Sequence, residues 1–433
     1  MYNAIEPTDS RWVYNNREFG MMWRLDQKIG VQTPITPRRE KGKEAYRFNW
    51  TPPVFLSPHN SAIVYTGAQV LLRSLDRGDH WEEVSPDLTT DDDSKQHGAG
   101  HITFCTITTA SESPVKAGVI WVGTDDGKVQ VTWNHGGTWT DCTAGIAAAG
   151  GPTELWVSRV FASPLEAGTA FVSKTGFRQD VQRPFLFKTT DFGATWSSIS
   201  SDLPAKNINV VIQDRKNANL LFVGTDSGLY VSLNGGQNWL PFKSNMPWVK
   251  VTDLVIHPRE NDLIVATYGR GLWVADITLL QEWNDKIVAE DVHLFAIEPR
   301  AQLQPTVYGN YQLQGDSHLM TPNEPEDFVI RYYLKAKAKD KIKITIADLS
   351  GKVLREIEGK GEAGFNIVTW DMRPRREKEG EAEDEFGEWR RNPLVEPGEY
   401  VVTLEASGRK LAQKAVARKR LGWSIGPFPA LIK

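Results

Sequence analysis

Cysteine is nearly absent from this chain. Of 433 residues only Cys105 and Cys142 carry a thiol. The two could pair with each other, but their spacing matches no metal-ligand pattern, and the expectation leans to small, unpaired core residues. Neither sign of charge dominates: 50 Lys and Arg face 54 Asp and Glu, for a net charge of −4. That balance exerts no pull on nucleic acid or an acidic membrane. No apolar run approaches the ~20 residues of a membrane-spanning helix, and no secretory leader is seen at the first residues. A phosphate-cradling glycine loop, a zinc-ligand cluster and a Ser/His/Asp order are also missing. Asp91-Asp92-Asp93 lacks the spaced ligands of a calcium loop and reads as a solvated turn. No metal or cofactor is expected.

What the chain has in plenty is tryptophan, sixteen residues of it, and several of these close one recurrent turn. Thr189-Thr-Asp-Phe-Gly-Ala-Thr-Trp196 is its fullest form. Ser74-Leu-Asp-Arg-Gly-Asp-His-Trp81 keeps the Ser, Asp, Gly and Trp. Thr132-Trp-Asn-His-Gly-Gly-Thr-Trp139 and Ser232-Leu-Asn-Gly-Gly-Gln-Asn-Trp239 place Asn where the Asp stood. The chemistry is that of a hairpin. Asp or Asn folds its side chain onto nearby backbone, and Gly supplies a positive φ. The Trp then opens the return strand and packs its ring. Asp76, Trp81, Asn134, Trp139, Asp191, Trp196, Asn234 and Trp239 are therefore read as fold determinants, not catalytic groups.

A second pattern precedes each turn: a β run, a short polar loop and another β run. It begins at Ile5, Leu56, Ser113, Ala162, Ile212 and Ile256, which makes six units. Four short antiparallel strands per ~45 residues mark a β-propeller blade. In the third unit the strands are predicted over 101–109, 119–123, 128–133 and 138–141. The first unit is expected to lack most of its inner strand. Either the chain continues a longer protein or its last blade supplies that strand. Residues 277–291 read as helical, and the apolar run 292–297 is expected to complete the last blade. The predicted organisation is all-β: propeller blades over 1–297, a linker over 298–326, a β-sandwich over 327–420 and an apolar docking tail over 421–433. The sandwich strands are placed at 328–334, 342–348, 353–357, 364–371 and 398–405, with a charged insert at 373–391.

The turn resembles the Asp-box, or bacterial neuraminidase repeat, of sialidases, xyloglucan-cleaving glycoside hydrolases and the sortilin-type receptor. Arg47-Phe-Asn-Trp-Thr-Pro-Pro53, Ser57-Pro-His-Asn60 and Ser85-Pro-Asp-Leu88 are similar to stretches of large exported bacterial proteins described as sortilin-like or glycosyl-hydrolase-like. The resemblance covers about residues 1–297. Asp348-Leu-Ser-Gly351, Asn366-Ile-Val-Thr-Trp-Asp371 and Pro397-Gly-Glu-Tyr400 resemble the Ig-like or fibronectin-like modules that end such proteins. It implies a secreted, periplasmic or cell-surface location.

Ligands of propellers meet the face built by the loops entering the inner strands. Here that face is predicted to carry Asn49, Trp50, His97, His101, Asp125, Asp126, Trp156, Arg159, Asn209, Asp226, Trp248, Tyr268 and Arg270. Aromatic rings with amides and carboxylates suit a sugar or a peptide, although Asp125 and Asp226 also suit a turn and the tryptophans also suit blade packing. Glycoside hydrolysis needs two carboxylates about 5–9.5 Å apart. Asp125 or Asp126 with Asp226, two blades away, is the one pair on this face. Three functions stay open: a non-catalytic binding or assembly component with a protein partner, a glycoside hydrolase, and a peptide-binding receptor.

Overall fold

The structure is a computed structural model that describes residues 2–96, 102–243, 245–302, 327–375 and 393–419. It divides into two units, residues 1–281 and 282–433, and nearly all of its regular structure is strand.

Among the described residues the first unit is a series of six antiparallel up-and-down sheets. The first comprises Asn3–Ile5, Trp12–Asn16, Met22–Asp26 and Val31–Pro34. The second runs Val54–Leu56, Val64–Gly67, Leu71–Ser74 and Glu82–Glu83; the third Ile107–Glu112, Ile120–Thr124, Val129–Thr132 and Thr140–Asp141. The fourth runs Trp156–Ala162, Ala170–Gly176, Val181–Thr189 and Ser197–Ser198; the fifth Ile208–Gln213, Leu221–Thr225, Gly228–Ser232 and Leu240–Pro241. The sixth has three described strands, Val251–Ile256, Asp262–Thr267 and Leu272–Asp276. From the third sheet to the sixth, the first strands lie side by side. In the third and fifth sheets the second strand is buried at every residue, as expected when neighbours cover both faces. This is a propeller-like arrangement.

The recurrent turn joins third strand to outer strand. Thr189 donates its hydroxyl to Asp191 Oδ1 and accepts from the Gly193 amide. The Asp191 carboxylate accepts from the Thr195 amide and hydroxyl at 2.9 and 2.6 Å. Asn134 and Asn234 repeat the pattern with an amide oxygen, accepting from the amides of Thr138 and Asn238. The indole of each turn then reaches the preceding sheet: Trp81 donates to Ile35 O, Trp139 to Val84 O and Trp239 to Ile199 O. Each acceptor sits just after an outer strand. Trp196 departs from the rule and donates to Gly193 O in its own turn. The reason is the helix Thr143–Ala148, which no hydrophobic periodicity announced and which begins where the acceptor would lie.

Several expectations are corrected. The first sheet is not among them, since its inner strand is only the three residues Asn3–Ile5. The third inner strand starts at Ile107, not at 101, because Cys105 takes φ +58° and the Thr106 amide turns to Asp125 Oδ1. Val292–Leu294 does not complete the last blade; it pairs with Phe328–Leu334 in the second unit. Arg300–Ala301, placed in the linker, pairs with the strand Arg409–Arg418, which its alternating Lys, Arg and Gln concealed. Residues 303–326 of the linker, most of the charged insert and the tail 421–433 lie outside the described residues. Cys105 and Cys142 are buried and unpaired.

Among the described residues the second unit holds two sheets. One contains Val292–Leu294, Phe328–Leu334 and Gly364–Trp370. The other contains Arg300–Ala301, Arg409–Arg418, Gly398–Ala406, Ile342–Asp348 and Val353–Gly359. Phe328, Ile330 and Tyr332 from the first share one core with Ile344, Ile346, Val402 and Leu404 from the second. Trp370 stacks on Phe328 at 5.5 Å within it. Among the described residues no helix is long and apolar enough to cross a membrane.

Candidate functional site

Four of the inner strands carry a bulge at the same place. In each, one residue is skipped in the pairing: Thr108 in the third sheet, Ser158 in the fourth, Asn209 in the fifth and Thr252 in the sixth. A bulge leaves its extra residue outside the ladder and re-aims the side chain. All four are polar, and three reach the next sheet. Thr108 Oγ1 donates to Val157 O at 3.0 Å, Ser158 Oγ to Ile208 O at 2.7 Å and Asn209 Nδ2 to Val251 O at 3.0 Å. This belt stitches successive sheets together around an axis.

The four bulge residues line one cavity of about 360 Å³, together with Tyr2, Thr51, Trp156, Thr175, Phe177, Arg178 and Lys250. Every sheet, or the segment entering it, contributes. The fourth sheet contributes most because its second and third strands run long and carry Phe177 and Arg178 on a short 3₁₀ turn, Phe177–Gln179. The Arg178 guanidinium lies 4.0 Å from the Trp156 ring centre, a cation–π contact. Lys250 Nζ lies 5.0 Å from the exposed Phe177 ring. Among the described lining residues there is no carboxylate.

The acids nearby are engaged. Asp226 accepts from Lys250 Nζ at 2.9 Å and Asn209 Nδ2 at 3.1 Å. Burial pushes its pKa up, but these two partners outweigh that and hold the carboxyl below its ordinary value. Asp253 pairs with Arg159 at 2.6 Å, from the sixth sheet to the fourth.

The predicted face is thus brought together in part. Trp156 and Asn209 line the cavity, and Asp226 and Arg159 stand behind it through their ion pairs. Asp125 does not reach it. It is fully buried and accepts from the Thr106 amide and hydroxyl and from Asn49 Nδ2 at 2.8, 2.6 and 3.0 Å. Burial pushes its pKa up to about 7 against those three donors. Asp126 is buried too and anchors the amide and hydroxyl of Thr90. Trp50 is exposed and packs edge-on against Phe19 at 5.2 Å, while Trp248 caps the tight turn at Gly228. Tyr268 is 76% exposed, and Arg270 sits in the same solvent-facing turn. None of these four lines the cavity. His97 and His101 lie outside the described residues. Sequence reasoning missed three of the four bulge residues, Thr108, Ser158 and Thr252, and with them Tyr2, Phe177, Arg178 and Lys250. One signal was available for two of them: the stretch between second and third strands is longer in the fourth unit than in the others.

No family model matches the chain, and no curated protein matches it in sequence. Among solved structures it is similar to a GH74 xyloglucanase from Xanthomonas campestris, at 16% identity and a TM-score of 0.48, over 95% of this chain and 58% of that one. YCF48 bound to a D1 peptide is similar at 14% identity and a TM-score of 0.42, over 64% of this chain and 77% of that one. PorZ, a surface component of the type-IX secretion system of Porphyromonas gingivalis, is similar at 12% and 0.39, over 96% and 59%. The chain spans somewhat more than half the length of the first of these. At such identities and scores nothing about activity carries across.

Proposed function

We propose that the chain is an exported, non-catalytic binding component, an Asp-box β-propeller followed by an Ig-like sandwich, whose axial cavity takes an anionic end of a glycan or peptide. The observation that supports this most is the composition of the cavity wall. It offers the flat rings of Trp156 and Phe177, two cations and a belt of hydroxyl and amide groups. Rings stack on a sugar or an aromatic side chain, hydroxyls orient it, the Arg178 guanidinium attracts negative charge, and Lys250 can donate to a ligand while it holds Asp226. Hydrolysis would need two free carboxylates across a bond, and the acids nearest the wall, Asp226 and Asp253, are each held by a cation.

The test is titration of the full chain, followed by tryptophan fluorescence, with two probes: uronate-containing oligosaccharides and peptides with a free C-terminal carboxylate. One of the two is expected to bind, and Arg178→Ala and Lys250→Ala should each weaken it about tenfold, the loss of one charge-assisted contact. Both positions are far enough from the core for the fold to survive. Release of reducing ends from the oligosaccharides overturns the non-catalytic reading. Failure of both probes to perturb the fluorescence overturns the cavity as the site.

A further inference from the structure

The recurrent turn leaves the side chains at its second and fourth places free. The fourth residue takes a left-handed φ in every copy, +61° at Arg77, +60° at His135, +58° at Phe192 and +72° at Gly235. Its amide donates to the loop between the first two strands of its own sheet, at the carbonyls of Ala62, Gly118, Gly168 and Asn219. Neither task calls for a ring, and a bulky side chain is strained at this φ, where Gly235 fits without cost. The second place varies as widely, holding Leu75, Trp133, Thr190 and Leu233.

Between the third and fourth sheets both places are aromatic. Trp133 and Phe192 meet edge to face, with ring centres 6.5 Å apart and planes at 70°. They line a mostly apolar cleft of about 370 Å³, whose wall includes Lys116, Thr140 and Asp191. At the neighbouring sheets the same two places hold Leu75 with His135, and Thr190 with Gly235. The turn is built equally well without the rings, so their pairing serves the cleft and not the fold. A strained residue kept where glycine would do points to function. Trp133 is moreover 42% exposed, although its ring has much to gain from burial.

The charges of the wall set the ligand. The Lys116 ammonium lies 5.7 Å from the centre of the Phe192 ring and has no ion-pair partner among the described residues. Asp191, the carboxylate of the wall, already accepts three bonds from Thr189 and Thr195 of its own turn. One cation is thus open to a ligand and the acid is engaged.

We propose that this cleft is a second binding site, for a small aromatic monocarboxylate. The flat ring takes the corner between Trp133 and Phe192, and the carboxylate pairs with Lys116. A hydroxyl-rich sugar is the poorer fit, since its many donors need acceptors and the wall is mostly apolar. A volume of about 370 Å³ stands at the lower end of small-molecule pockets, roughly 300–1,000 Å³, which suits one or two fused rings. The cleft lies at the turn between third and outer strands, whereas the axial cavity is lined by inner-strand bulges. The inference does not rest on the ligand reading above.

The test is isothermal titration calorimetry of the full chain with 2-naphthoate, and with neutral 2-naphthamide as the control. Naphthoate is expected to bind about fivefold more tightly than naphthamide, the worth of one exposed charge pair. Lys116→Gln should remove that preference and leave naphthamide binding as it was. Trp133→Ala, at an exposed position that the fold tolerates, should weaken both probes about tenfold. Phe192→Gly, which suits the φ of the turn, should weaken both as well. Arg178→Ala, in the axial cavity, should leave the titration unchanged, which separates this site from that one. Equal binding of the two probes, no binding of either at millimolar concentration, or a titration that Trp133→Ala leaves intact each overturns the proposal.

Discussion

One residue type in one motif meets two fates here. Gly-Thr-Asp closes the second strand in both the third and fifth sheets, yet Asp125 is buried under three donors and Asp226 faces a lysine at the cavity wall. The difference comes from neighbours distant in sequence, Asn49 in one case and Lys250 in the other. Lys174 shows the same dependence. It is wholly buried, and its ammonium donates to Gly127 O and Pro152 O at 2.8 and 2.7 Å. Burial pulls its pKa down to about 7. A folded pKa below the unfolded value means that the unfolded chain holds the extra proton between about pH 7 and 10.5. Stability therefore rises with pH across that window, and the cost of burying the charge is fully present below it. Against Lys174→Met, which does not titrate, the wild type should gain about 3 kcal/mol between pH 7 and pH 10, because each tenfold difference in proton affinity between the folded and unfolded chain is worth about 1.4 kcal/mol. Urea unfolding of both proteins at the two pH values measures this. An unchanged difference between them rejects the neutral buried lysine.

At the scale of elements, the recurrent turn couples sheets as well as reversing the chain. Gly136 has φ +94°, and a Cβ there would lie 2.1 Å from Val84 O, backbone of the preceding sheet. Gly150 has φ +83°, but a Cβ there meets nothing within 4 Å. Gly150→Ala should cost about 1–2 kcal/mol, the left-handed penalty alone. Gly136→Ala carries that penalty and a backbone clash, and should cost roughly 3 kcal/mol or more. Equal shifts in the urea midpoint would show that the turn is only a turn. These elements were legible in sequence because a turn is local: Ser or Thr, Asp or Asn, Gly and Trp lie within eight residues and each answers a local need. The helix Thr143–Ala148 and the strand Arg409–Arg418 were not legible. The first is too short for a periodicity, and the second presents polar side chains that pair rather than a greasy alternation. The cavity wall was half legible. Trp156 and Asn209 stand at recognisable strand starts, whereas Thr108, Ser158 and Thr252 matter only because a bulge aims them inward, and a bulge is a property of two strands.

For the first unit as a whole, stability should follow position in the array. Each sheet contacts its sequence neighbours, so its stability is its own plus that of the interfaces it makes, as in other repeat proteins. The third, fourth and fifth sheets have two covered faces; the fourth and fifth have a belt bond on each side and the third has one toward the fourth, from Thr108, Ser158 and Asn209. The sixth has one apolar face in solvent and three described strands, and the first exposes Ile5 on its outer side. Local opening is drawn from regions with few buried apolar contacts. In the isolated chain, amides of Leu221–Thr225 and Ile120–Thr124 should exchange slowest. Amides of Asp262–Thr267, the equivalent strand of the sixth sheet, should exchange at least tenfold faster, which corresponds to one interface weaker by about 1.4 kcal/mol. Substituting Phe222→Ala should raise exchange in the sixth sheet more than in the third, since Phe222 packs in the core that the fifth and sixth sheets share. Uniform protection across all six sheets would mean instead that the ring opens as one cooperative unit, already closed between its first and last sheets.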